Sequence, residues 1–212
     1  MILYGAPVSP FVRKVLVYAA HKGLTLELVP VGPGDPNPDF LASSPFRKMP
    51  GFRDGDFTIS DSTAILTYLE AKHPEPALIP ADPAARARTI WFEEFADTIL
   101  IAASGKIFFN RVVAPRFMGK PGDEAAAQQG EADLVPIFDY LETVIPAHNH
   151  LVGDGLTLAD IAVASPFVNL MLAGYEWDRA ARPKLAGFVD AMHAAPGFAE
   201  WIPRERKMLG LG

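Results

Sequence analysis

The sequence predicts an α/β domain of order βαβ-ββα followed by an all-α domain. Three features of the chain point to this. Short β-type runs are confined to the first 60 or so residues of 212. The stretch His73 to Pro83 (HPEPALIPADP) carries four prolines and no amphipathic period, as a connection between domains does. Beyond it every apolar pattern has helical spacing. The domains are placed at residues 1–75 and 84–212, with 76–83 as the linker.

Met1 to Tyr4 read as a short buried strand, and Gly5-Ala6-Pro7-Val8 as a loop. Ser9-Pro10 have the form of an N-cap followed by proline at the first helical position, where the missing N–H is not needed. Val12, Val15, Leu16 and Ala19 fall at i, i+3, i+4 and i+7 and mark the buried side of a helix that Gly23 stops. Leu26, Leu28 and Val29 form a second strand, parallel to the first through a right-handed crossover. Residues 30–38 (PVGPGDPNP) read as a loop and Asp39 to Ala42 as one helical turn. Lys48-Met49-Pro50 leads into a third strand, Asp54-Gly55 is the turn pair, and Phe57 and Ile59 alternate on a fourth. Asp61-Ser62 then open an amphipathic helix.

In the second domain, Asp82-Pro83 cap a long helix through Trp91, Phe95, Ile99 and Ala102 to about Val113. Pro121-Gly122-Asp123 start another, with Leu134, Phe138, Leu141 and Ile145 on one face and a bend expected at Pro136. Thr157 and Asp160 have the spacing of a capping box, with Leu156 and Ile161 as its hydrophobic staple, and their role is structural. Pro183 begins the last substantial helix, through Leu185, Phe188, Val189 and Met192, ended by Pro196-Gly197. Trp91, Phe92, Phe95, Phe108 and Phe109 are assigned mostly to the core.

Composition removes several function classes. A formal charge of -6 and a pI near 5.3 argue against a nucleic-acid surface, which needs clustered Lys and Arg. The chain has no cysteine, which excludes disulfides, thiolate metal sites and a protein thiol nucleophile, and fits a reducing cytoplasm. No apolar run approaches the roughly 20 residues of a membrane helix, and no signal peptide precedes Met1-Ile2-Leu3. His148 and His150 have no evident carboxylate or cysteine beside them and read as an exposed turn, so no metal is expected. Arg13 and Lys14 read as a solvated helix face or an intramolecular ion pair.

The segment Phe46 to Leu69 carries the most chemistry. A helix N-terminus at Asp61-Ser62 presents backbone N–H groups and a positive dipole end, which bind a carboxylate. The residue before Pro50 is pushed into an extended conformation, so its backbone is able to pair with a peptide-like ligand. Together these are two handles for a small acidic peptide.

In this order, SPFVRKV at Ser9 to Val15, RKMPGFRDGDFTISDSTAILTYLE and the Thr157–Asp160 box resemble the cytosolic glutathione S-transferase family, in its serine-type, bacterial-like members. The resemblance covers essentially the whole chain. It implies a thioredoxin-like N-terminal domain that binds glutathione and an all-helical domain that contributes the acceptor pocket. By position, Met49 pairs its backbone with the cysteinyl backbone of glutathione, and Pro50 is cis. Asp61 lies near the γ-glutamyl amine, Ser62 holds the γ-glutamyl carboxylate, and Lys48 reaches the glycyl end as a point charge. Arg47 stands where relatives often have glycine. Ser9 is the catalytic residue, with Tyr4 the rival donor although its pattern reads as core. Val8, Ser104 and Phe108 belong to the acceptor pocket. The partners implied are glutathione as co-substrate, a small hydrophobic electrophile and a second copy of the chain, in a cytoplasmic detoxification enzyme.

A free thiol of this kind has a pKa near 8.5, and lowering it by about two units takes roughly 2.7 kcal/mol. One neutral donor to a charged acceptor supplies about 1.5–3 kcal/mol, and a helix N-terminus about 0.3–1. Ser9 at the start of a helix offers both. Serine cannot form a mixed disulfide, so thiol-transferase chemistry through a protein sulfur is discounted. Peroxidase, isomerase and dehalogenase reactions, and a non-catalytic glutathione-binding or interaction module, stay open as alternatives.

Overall fold

Four short strands, β1 (Ile2–Tyr4), β2 (Glu27–Val29), β3 (Gly51–Asp54) and β4 (Phe57–Ser60), form one mixed sheet in the order β2-β1-β3-β4. The computed structural model describes residues 1–32 and 34–211. Pro33, inside the loop read at 30–38, lies outside the described residues, as does Gly212 at the end of the second predicted domain. β1 runs parallel to β2, with Leu3 beside Leu28, and antiparallel to β3, with Leu3 beside Phe52. Three helices belong to this part of the chain: α1 (Pro10–His21), α2 (Pro38–Ser43) and α3 (Ser62–Lys72). The two-residue period splits the sheet into faces. Leu3 and Phe52 are fully buried, whereas Tyr4 packs with Val31 and Phe40, against which Ile2, Val29 and Met49 also lie.

Local chemistry departs from the sequence reading at the hairpin. Asp54 stays in the strand, paired with Phe57, and the two loop residues are Gly55 and Asp56. The reason lies in α3. The Asp54 carboxylate accepts the Tyr68 hydroxyl at 2.9 Å and pairs with Lys72, which keeps Asp54 in the ladder. Gly55 takes φ +61 at the first loop position, the place for glycine in a type II′ hairpin turn.

The chain divides into two compact units, Met1–Leu78 with Pro196–Glu205, and Ile79–Ala195 with Arg206–Gly212. Two differences from the predicted boundaries follow. Residues 73–78 are anchored within the first unit. The buried Lys22 Nζ lies 2.6 Å from Glu70 and donates to the carbonyls of His73 and Pro76, each at 2.7 Å. Glu70 also accepts from the Tyr18 hydroxyl and from the Leu78 N–H. The second difference is a helix that was not read, α10 (Phe198–Met208), most of which belongs to the first unit. Its polar run and internal Pro203 hid it.

The second unit holds α4 (Pro83–Glu94), α5 (Ile101–Phe108), α6 (Ala114–Phe117), α7 (Glu124–Val144), α8 (Leu158–Leu172) and α9 (Pro183–Ala194). α4 to α6 are one helical run through π-helical turns at Phe95–Leu100 and Phe109–Val113, so it passes the expected end at Val113. Its buried stripe is Phe92, Ala96, Leu100, Ala103 and Ile107. Of the aromatics assigned mostly to the core, Trp91 and Phe109 are instead about half exposed, as is Ile99. Their bulk drew the stripe one residue out of register.

α8 is buried on nearly every side, as a central helix must be. Asp160 caps it, accepting from the Thr157 N–H at 2.8 Å and the Leu151 N–H at 2.7 Å. Asp160→Ala leaves both buried donors without that acceptor and is expected to destabilise the protein by about 2–4 kcal/mol. Denaturant unfolding checks this, and Asp160→Asn, which keeps an acceptor oxygen, should lose less.

Candidate functional site

The register of the sheet gathers three chain segments at one edge. Tyr4 lies beside Gly51, and Gly51 beside Ser60. The loop from Tyr4 to Ser9, the Met49-Pro50 dipeptide and the Asp61-Ser62 start of α3 therefore leave the sheet at the same end.

Ser9 occupies the N-cap position of α1, with φ -73, ψ 127 and Pro10 at the first helical position. Its N–H donates to Ala6 O and its carbonyl accepts from the Arg13 N–H, both at 2.9 Å, so the residue is fixed through its backbone. Its hydroxyl makes no capping hydrogen bond. The side chain is half-buried, positioned and unspent. Tyr4 is different: it is 2% exposed, its ring centroid lies 6.5 Å from that of Phe40, and burial pushes its phenol above the usual range.

The hairpin segment is shaped by a residue that sequence reading missed. The Ser44 hydroxyl accepts from the Lys48 N–H at 3.0 Å and donates to the Lys48 carbonyl at 2.7 Å. Arg47 takes φ +58, a left-handed conformation that glycine adopts without strain, and donates its N–H to Ser44 O. Only the tertiary closure of 44–48 reveals Ser44. Lys48 projects into solvent, and Met49-Pro50 is cis. Among the described residues Met49 has no backbone hydrogen bond.

Asp61 is the N-cap of α3 with φ +83, uncommon for a residue with a Cβ. Its carboxylate accepts from the Ala64 N–H at 3.1 Å and its carbonyl from the Ile65 N–H at 3.0 Å, which hold it there. Ser62 is buried at the first turn. The arrangement offers a dipole end for a carboxylate, a Met49 backbone without a hydrogen bond among the described residues for a peptide, and a serine hydroxyl at the opening of α1.

Each residue expected in the acceptor pocket is buried in its own unit. Val8 precedes Ser9, Phe108 ends α5, and the Ser104 hydroxyl donates to Leu100 O at 2.8 Å. The sequence reading erred on His150. It does have a carboxylate beside it, with Nδ1 3.8 Å from Asp160, although that carboxylate is engaged in capping α8. Of the two readings left open for Arg13, the intramolecular ion pair holds: it is fully buried and forms a bidentate pair with Glu205, while Lys14 is also buried. Among the described residues no group of three or more His, Asp or Glu is placed to hold a metal, and no helix is long and apolar enough to cross a membrane.

Residues 3–77 match the family model for the glutathione S-transferase N-terminal domain, and residues 124–203 that for the C-terminal domain. The chain belongs to the glutathione S-transferase family. It is 32% identical to glutathione S-transferase 3 of Zea mays over 206 residues, covering 94% of this chain and 92% of that one. Among solved structures, a glutathione S-transferase from Rhodospirillum rubrum F11 superposes with a TM-score of 0.87 at 28% identity, over 94% of this chain and 90% of the other. A glutathione S-transferase from Methylobacterium radiotolerans, in complex with glutathione sulfonate, gives a TM-score of 0.77 at 30% identity, over 95% and 93%. The transferase thus has the thioredoxin-like and helical domains of its family.

Proposed function

We propose that the transferase activates the glutathione thiol with the Ser9 hydroxyl, for attack on small apolar electrophiles. The observation that carries this is a serine held by its backbone at the opening of α1, with its hydroxyl not used as a cap, at the end of the sheet shared with Met49-Pro50 and Asp61-Ser62. The γ-glutamyl carboxylate docks at Ser62 and the α3 N-terminus, and its amine near Asp61. The cysteinyl backbone pairs with Met49 beside Pro50, and Lys48 approaches the glycyl carboxylate. Ser9 then donates to the sulfur and lowers its pKa, while the substrate supplies the electrophilic carbon. Binding to immobilised glutathione followed by a panel of electrophiles tests the reading. Binding without turnover on any of them would overturn it in favour of a non-catalytic module.

The proposed assembly is a homodimer, and the proposed location the cytoplasm. The helical unit carries an aromatic cluster of Trp91, Phe95 and Tyr140. Of these, Trp91 is 48% and Tyr140 36% exposed, an apolar surface that a second copy would cover. Trp91→Glu is expected to shift the mass measured by light scattering from twice 23.0 kDa to that of a single chain. An unchanged dimer would place the interface elsewhere.

A further inference from the structure

We infer that Glu205, on α10, is a positioning residue for the Ser9 hydroxyl, acting through Arg13. Arg13 lies one turn into α1 from Ser9, and both it and Glu205 are completely buried within the first unit. Arg13 Nε donates to Glu205 Oε1 at 2.8 Å and Arg13 Nη2 to Oε2 at 2.6 Å, a two-pronged pair that fixes the plane of the guanidinium. The same Nη2 reaches the carbonyl of Val8, the residue before Ser9, in a longer contact of 3.5 Å. The Arg13 backbone N–H holds the Ser9 carbonyl. Arg13 thus touches the catalytic loop twice, at the Val8 carbonyl with its side chain and at the Ser9 carbonyl with its backbone, and the orientation of the side chain is set by a carboxylate 192 residues away in the chain.

α10 is itself fixed against α1 at a second level. A Cβ at Gly197 would stand 2.9 Å from Val17 Cα, and Gly197 takes φ +81, so the close approach requires glycine. Burial pushes the Glu205 carboxyl up while Arg13 pulls it down, which fits a charge that depends on its partner. An isolated buried pair adds little net stability over apolar residues of the same shape, so orientation of the Ser9 loop is the better reason for it. Loss of Glu205 would leave the guanidinium free to turn from Val8 and let the loop carrying Ser9 shift.

This inference rests on the serine reading above, and one set of titrations separates the two. The thiolate absorbance of bound glutathione is followed against pH in the wild type, S9A, E205Q and E205D. Affinity for S-methylglutathione, which has no ionisable thiol, is measured alongside. E205Q should raise the thiol pKa by about one unit and lower kcat near neutral pH about tenfold. It should change the affinity for S-methylglutathione less than threefold, and E205D should recover part of the loss. If S9A shifts the pKa and E205Q does not, the role of Glu205 is overturned and the serine reading stands. If S9A shifts nothing, both fall. Thermal midpoints are recorded for each variant, and R13K, which keeps the charge but not the two-pronged geometry, should reproduce the shift if E205Q folds poorly. Lower thermal midpoints with an unshifted thiol pKa in both variants would make the pair structural only.

Discussion

Ser9→Ala is expected to lower kcat/KM about ten- to a hundredfold and to raise the pKa of the bound thiol. The range is the kinetic equivalent of a hydrogen bond to a charged acceptor, about 1.5–3 kcal/mol. Tyr4→Phe should leave turnover within about threefold, because the Tyr4 ring is buried and packed against Phe40. Stability provides an independent control. An N-cap serine replaced by alanine ordinarily loses about 1 kcal/mol through its capping bond. Ser9 makes no such bond, so the variant should unfold within about 0.5 kcal/mol of the wild type. A large loss of stability with little loss of turnover would show an ordinary cap, and the reverse ranking of the two variants would transfer the donor role to Tyr4.

The largest stability effect is expected at Lys22. Its ammonium is enclosed by the Glu70 carboxylate and the carbonyls of His73 and Pro76. Lys22→Met removes the charge, strips both carbonyls of a donor and leaves Glu70 with Tyr18 and Leu78 as its remaining partners. Breaking one side of such a pair costs about 3–5 kcal/mol. Adding Glu70→Gln should recover part of that loss, because the uncompensated charge goes with it. Urea unfolding of the two single variants and the double variant measures the coupling. A loss below about 1 kcal/mol for Lys22→Met would mean that water replaces the ammonium without penalty.

How much of this was legible before the structure depended on range. Asp61, Asp82 and Asp123 start helices where local capping chemistry places them, since a cap is decided within four residues, and Pro10 marks the start of α1 as proline at the first helical position. Asp160 was legible for the same reason. The hairpin was legible as an element but one residue off in its turn, because Asp54 is held by Tyr68 and Lys72, 14 and 18 residues away. α10 was not legible, and the ion pair of Arg13 was legible only as an alternative, without its partner Glu205. A buried arginine and a surface arginine look alike in sequence until the partner is known, and here the partner lies at the far end of the chain. Within the candidate site, Ser44 was missed because its bonds to Lys48 depend on the backbone of a non-helical turn. Trp91 and Phe109 were assigned inward because side-chain size was weighed above the stripe of smaller residues beside them.

A crystal structure with glutathione bound addresses the mechanism most directly. The sulfur should lie within hydrogen-bonding distance of Ser9 Oγ, with the γ-glutamyl carboxylate at Ser62 and the cysteinyl backbone paired to Met49. Sulfur resting beside another donor, with the Ser9 hydroxyl turned away from it, would contradict activation by this serine.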